Sequence, residues 1–304
     1  MSNIIALIWD FDKTLVDGYM QDPLFAKYKI NSKIFWNEVN SLPDKYENEQ
    51  GVRVNKDIIY LNHILNYVKS GKFNGLNNER LECLGKNIKF YPGVLDIFPK
   101  TINIKKTNST FSEFNIKVEH YIVSTGLSQM IWGSPIAQYV DGIWGCDFIE
   151  SINPDTKEKE LSEVVYTTDN TTKTRAIFEI NKGVGQRDGI EVNSKLSEEM
   201  RRVPFKNMIY IADGPSDIPA FSLINNKGGA TFAVYPPGND EAFRQVESLR
   251  KDGRVQMYGE ADYRENTLTY LWLKNTILDI AARIVADEKA KLIPYIKPQP
   301  RHLI

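Results

Sequence analysis

The segment Ile4-Ile5-Ala6-Leu7-Ile8-Trp9-Asp10-Phe11-Asp12-Lys13-Thr14-Leu15 passes from an unbroken apolar run straight into two carboxylates. A short run of this kind reads as a strand buried on both faces, as in a parallel sheet covered by helices. Two Asp residues at the mouth of such a strand raise each other's pKa, so a cation or a reaction is the usual reason for placing them there. Open parallel sheets also put their ligands beyond the carboxyl ends of the strands. Asp10 and Asp12 are therefore candidate metal ligands, one of them free to act as a nucleophile. The plainer alternative is that Asp12 caps the following turn and Asp10 is solvated.

Working outward, 304 residues exceed one typical domain, so one large domain or a core carrying an inserted smaller one is expected. Hydrophobic residues make up 42% and charged residues 25%, an ordinary balance for a soluble globular chain. The formal net charge of -1 provides no global field for recruiting nucleic acid or an anionic membrane, and a small molecule or a small protein is the better-suited partner. Cys83 and Cys146 read as reduced thiols, because the apolar start stops at Asp10 and lacks the form of a secretory leader. No run is long enough to span a bilayer, and the expected location is cytoplasmic.

After the first strand the texture changes. Val54, Ile58, Leu61, Leu65 and Val68 share one helical face that Ser70-Gly71 stops, and residues 22–42 carry aromatics at helical spacing until Leu42-Pro43-Asp44 breaks the pattern. Residues 16–90 thus form a helical module set into an α/β core made of 1–15 and 91–304. Tyr91-Pro92-Gly93 turns the chain back to the core, a helix follows from Val94, and the polar stretch 103–115 reads as a loop.

A second buried strand, Tyr121-Ile122-Val123, runs into Ser124-Thr125-Gly126, with a helix expected from about Leu127. Hydroxyls and free backbone N–H groups at a strand-to-helix turn suit phosphate, although taken alone an ordinary Ser or Thr cap is the commoner reason for such residues. Thr171-Thr172-Lys173-Thr174-Arg175 opens a later helix, from which Lys173 or Arg175 could aim a positive charge at the crevice. Residues 181–204 read as a loop-rich connection without a nucleotide-binding pattern.

Met208-Ile209-Tyr210-Ile211-Ala212-Asp213-Gly214-Pro215-Ser216-Asp217 repeats the opening theme, an apolar strand ending on acid. Two such strands can build an oxygen-rich site for a hard cation such as magnesium. Beyond it, 230–235 reads as a strand and Asn239 as a helix cap. Leu268, Leu271, Leu278, Ala282 and Val285 mark the inner stripe of a last long helix, and the proline-rich tail 294–304 is expected to be extended.

In this order, Asp10-Phe11-Asp12-Lys13-Thr14-Leu15, Ser124-Thr125-Gly126, Lys173 and Asp213-Gly214-Pro215-Ser216-Asp217 resemble the four motifs of the haloacid dehalogenase superfamily. The nearest branch is the one containing phosphoserine phosphatase, whose helical cap sits between the first two motifs. The resemblance implies a Rossmann-like α/β core with a mainly parallel sheet, its first strand central, and an α-helical cap over 16–90. It implies Asp10 as nucleophile and Asp12 as acid and then base. It also implies phosphate held by Ser124, Thr125, Gly126 and Lys173, and Mg2+ on Asp10, the backbone carbonyl of Asp12, Asp213 and Asp217. Arg175 or Lys182 remains an alternative for Lys173. An acid at position 12 points to phosphate chemistry, since the dehalogenases lack it, whereas Thr125 departs from the glycine common in the phosphoserine branch. The implied activity is hydrolysis of a small phosphorylated metabolite. A phosphotransferase using the same aspartyl-phosphate and a silent binding protein of this fold are the alternatives, and oligomeric state is open.

Overall fold

The structure is a computed structural model and describes residues 3–292. Its strands are β1 (Ile4–Trp9), β2 (Lys117–Leu127), β3 (Gly142–Ile152), β4 (Lys159–Tyr166), β5 (Met208–Ala212), β6 (Ala230–Tyr235) and β7 (Met257–Glu260). They form one seven-stranded sheet in the order β4-β3-β2-β1-β5-β6-β7, which places β1 at the centre. Every pairing is parallel except that of β3 with β4. The chain is an α/β protein.

The apolar opening run earns its central position through side-chain alternation. Ile5, Leu7 and Trp9 join one core cluster, while Ala6 and Ile8 join the cluster on the opposite face. Between β1 and β2 the chain forms α1 (Asp22–Tyr28), α2 (Ser32–Gln50), α3 (Ile59–Lys69), α4 (Asn78–Gly85), α5 (Val94–Ile102) and α6 (Ser109–Glu113). Then come α7 (Ser128–Trp132), α8 (Thr172–Lys182), α9 (Ile218–Asn226), α10 (Asp240–Lys251) and α11 (Leu268–Leu292). Residues of α5 and α11 cover the first face and are continuous with the buried aromatics of α1 to α3 and with Leu81 of α4, whereas α8, α9 and α10 cover the second.

Several local expectations are corrected. Pro43 does not stop α2, which continues to Gln50. Burial of Phe35, Val39 and Leu42, at about 1.5–3 kcal/mol each, outweighs the roughly 3 kcal/mol cost of an internal proline. Helix α3 begins at Ile59, so Val54 and Ile58 lie ahead of it. Residues 103–115 are not a plain loop, because Asn103–Thr107 makes a 3-10 turn and α6 follows. In α11 the inner stripe is Leu273, Ile277, Ile280 and Ile284, while Leu268 and Leu271 are 52% and 40% exposed. Strands β4 and β7 had no clear sequence signal. The expectation for 294–304 lies outside the described residues. Among the described residues, no helix is long and apolar enough to cross a membrane.

Candidate active site

The site lies where the pairing of β1 with β2 and β5 ends. Trp9 is paired with Ile122 on one side and Ile211 on the other, so Asp10 and Asp213 fall just past the paired residues and Ser124 lies two residues beyond Ile122, still within β2. The backbone N–H of Asp10 donates to the carbonyl of Ile211 at 2.9 Å, which locks the first carboxylate against β5. Lys13 adopts φ 56 and donates its N–H to the carbonyl of Gly18, so the chain folds back immediately and keeps Asp12 at the sheet edge.

Lys173 enters from the first turn of α8 and is 1% exposed. Its Nζ donates to Asp10 Oδ1 at 2.8 Å and to Asp217 Oδ1 at 2.6 Å. Burial would lower its pKa, but Asp10 and Asp217 together hold it above the usual lysine value. The geometry separates Lys173 from its alternatives: Arg175 is exposed and pairs with Glu179, and Lys182 Nζ donates to the carbonyls of Val192 and Ser194.

Asp217 is fully buried and fully engaged. Oδ1 also accepts from the Tyr210 hydroxyl at 2.6 Å, and Oδ2 accepts from the Ser216 hydroxyl at 2.7 Å. Asp213 differs, since no described residue donates a hydrogen bond to its carboxylate. Burial, with Asp10 and Asp217 nearby, pushes its pKa up to about 8. Carboxylate oxygens of Asp10, Asp213 and Asp217 lie within 4.8 Å of one another. Three hard oxygen donors, one of them lacking a hydrogen-bond donor, fit a magnesium-type ion.

Burial raises Asp10 to about 6 against the opposing pull of Lys173. It raises Asp12 further, to about 8, even though the Met20 N–H donates to Asp12 Oδ1 at 2.7 Å. Burial therefore favours the protonated form of Asp12 more than that of Asp10.

The Ser124-Thr125-Gly126 turn is reached differently from expectation. All three residues lie within β2, and α7, only five residues long, begins at Ser128, one residue after the expected start. Ser124 Oγ accepts from the Gly126 N–H at 3.0 Å, and the Thr125 carbonyl accepts from the Tyr60 hydroxyl at 2.7 Å. Met20 Sδ accepts from the Leu127 N–H at 3.1 Å. A side chain at position 126 would meet the end of the Met20 side chain at 2.0 Å, so Met20 would have to shift to admit one. Met20, Tyr60 and Tyr210 were not foreseen. Tyr60 bonds to Thr125 65 positions away and Met20 to Leu127 107 positions away, while Tyr210 sits in an apolar strand run that gives no sign of its bond to Asp217.

No protein-family profile matches the sequence. An uncharacterized protein of Borreliella burgdorferi is 40% identical over 287 residues, covering 90% of this chain and 97% of its own. A HAD family hydrolase from Salmonella enterica serovar Typhi superposes with a TM-score of 0.50 at 14% identity, covering 84% of this chain and 67% of its own. A phosphoserine phosphatase solved as a phospho-aspartyl intermediate analogue gives a TM-score of 0.46 at 17% identity, with 84% and 92% covered. At these identities the structural likeness is one of fold.

Proposed function

Because this chain belongs to one family with the uncharacterized Borreliella burgdorferi protein and has the fold of the haloacid dehalogenase-type hydrolases, we propose that it is a magnesium-dependent phosphatase acting on a small phosphomonoester. The observation that carries this reading is the buried ammonium of Lys173 shared by Asp10 and Asp217, with Asp213 beside them and without a hydrogen-bond donor among the described residues. One cation among three carboxylates leaves the site short of positive charge, a deficit that a metal ion makes up.

Asp10 attacks phosphorus, and the bond from phosphorus to the ester oxygen breaks as Asp12 gives that oxygen its proton. Water then attacks the aspartyl-phosphate while Asp12 takes a proton back, releasing phosphate and restoring Asp10. Ser124, Thr125 and Gly126 hold phosphoryl oxygens, and Lys173 balances charge on Asp10 and the phosphoryl group. Magnesium would be held by Asp10, Asp213 and the backbone carbonyl of Asp12, with Asp217 completing or backing the set, and would supply charge neutralisation at phosphorus. Residues 16–90 act as a cap that excludes water, consistent with Met20 and Tyr60 touching β2 beside the site.

The test is phosphate release from a panel of phosphomonoesters, with and without magnesium, for the parent and Asp10→Asn. Metal-dependent turnover that Asp10→Asn abolishes supports the proposal. Equal turnover by the variant, or none by the parent on any ester, contradicts it.

A further inference from the structure

The helices between β1 and β2 are bonded to the two segments that carry the candidate phosphate-binding residues. The Asn55 side-chain amide donates to Asp169 Oδ2 at 3.1 Å, in the loop that leads into α8 and Lys173. The Tyr60 hydroxyl donates to the carbonyl of Thr125, beside Ser124, at 2.7 Å. Cys146 ties these two points together, since its Sγ donates to the Thr125 carbonyl and accepts from the Thr168 N–H, each at 3.3 Å.

Asp169 shapes the start of α8. Its Oδ1 accepts from the N–H groups of Thr171 and Thr172 at 3.0 and 2.7 Å, and its backbone carbonyl accepts from the N–H of Lys173 itself at 3.0 Å. Asn55 does the same ahead of α3, where its Oδ1 accepts from the Asp57 N–H at 3.0 Å and its carbonyl from the Ile59 N–H at 3.1 Å. Capping explains one oxygen of each side chain. It does not explain why the remaining atoms, Asn55 Nδ2 and Asp169 Oδ2, meet each other across 114 positions of sequence. Their meeting fastens the start of the helix that carries Tyr60 to the start of the helix that carries Lys173. Asn55 is exposed, so water competes for the bond and its net strength is small, which suits a contact that opens and closes.

We propose that Asn55 and Asp169 are positioning residues that form a latch, through which docking of the helical module and placement of Lys173 for the phosphoryl group become one coupled step. A bound phosphate and the docked module then each favour the other. This rests on the phosphatase reading and adds the means by which the module reports to the phosphoryl site.

The test exchanges the two side chains. Asn55→Asp keeps the oxygen that caps α3 but sets a second carboxylate against Asp169. Asp169→Asn keeps the oxygen that caps α8 but sets two amide donors against each other. The double variant, Asn55→Asp with Asp169→Asn, restores one donor and one acceptor with the direction reversed. The readouts, on the full chain with magnesium, are calorimetric affinity for inorganic phosphate and hydrogen exchange over residues 55–60. Phosphate should slow exchange there in the parent. Each single variant should bind phosphate about fivefold more weakly and lose that protection, and the double variant should recover both. Two independent caps would show no such recovery, because their losses would add. Single variants that match the parent, a double variant no better than the singles, or a parent that binds no phosphate would overturn the proposal. Ester hydrolysis that the single variants leave unchanged would sink the latch and spare the phosphatase reading. Exchange-dependent phosphate binding without release of phosphate from any ester would do the reverse.

Discussion

Lys173 Nζ lies 2.8 Å from Asp10 Oδ1, joining side chains 163 positions apart in the chain, and both are nearly removed from solvent. Lys173→Gln should lower stability by about 3–5 kcal/mol, since it leaves buried carboxylates uncompensated. It should also lower turnover about 100-fold or more through lost charge balance. Urea unfolding and steady-state rates measure the two effects, and a variant as stable and active as the parent would refute the role of this pair.

Asp213 has an accessible test in metal-linked stability. Magnesium at about 100 times its dissociation constant should stabilise the parent by about 2.7 kcal/mol. In Asp213→Asn most of that gain should vanish. The metal-free variant should melt at or above the parent, because it is relieved of repulsion from Asp10 and Asp217. Thermal melts with and without magnesium check both outcomes.

How much of this could be read from the chain depends on whether the signal is local. The ends of β1 and β5 were legible because an apolar run and the acid after it are neighbours in sequence. Lys173 was one of three candidates, and only the docking of α8 against β2 and α9 selects it. Tyr60 and Met20 were illegible, since their bonds to Thr125 and Leu127 span 65 and 107 positions. The continuation of α2 through Pro43 was hidden for a related reason: tertiary burial outweighed a local breaker.

His120 should make folding sensitive to acid. Its Nδ1 accepts from the Trp9 indole at 3.0 Å, so the ring proton resides on Nε2, facing the Thr101 hydroxyl at 2.9 Å. Burial lowers its pKa to about 3 from an ordinary 6.5. Between those values the unfolded chain binds the extra proton, so stability falls as pH drops through that window. From pH 7 to pH 5 this group alone should cost the parent about 2 kcal/mol. Urea unfolding at the two pH values should show that loss reduced by a similar amount in His120→Gln, and an unchanged loss would contradict the assignment.

The central claim is that Asp10 carries the phosphoryl group, and rapid acid quench during turnover tests it most directly. With magnesium and a phosphomonoester that the parent hydrolyses, peptide mass spectrometry should find one phosphoryl group on the peptide containing Asp10, and none in Asp10→Asn. A phosphorylated peptide elsewhere in the chain, or turnover that persists in Asp10→Asn, would contradict it.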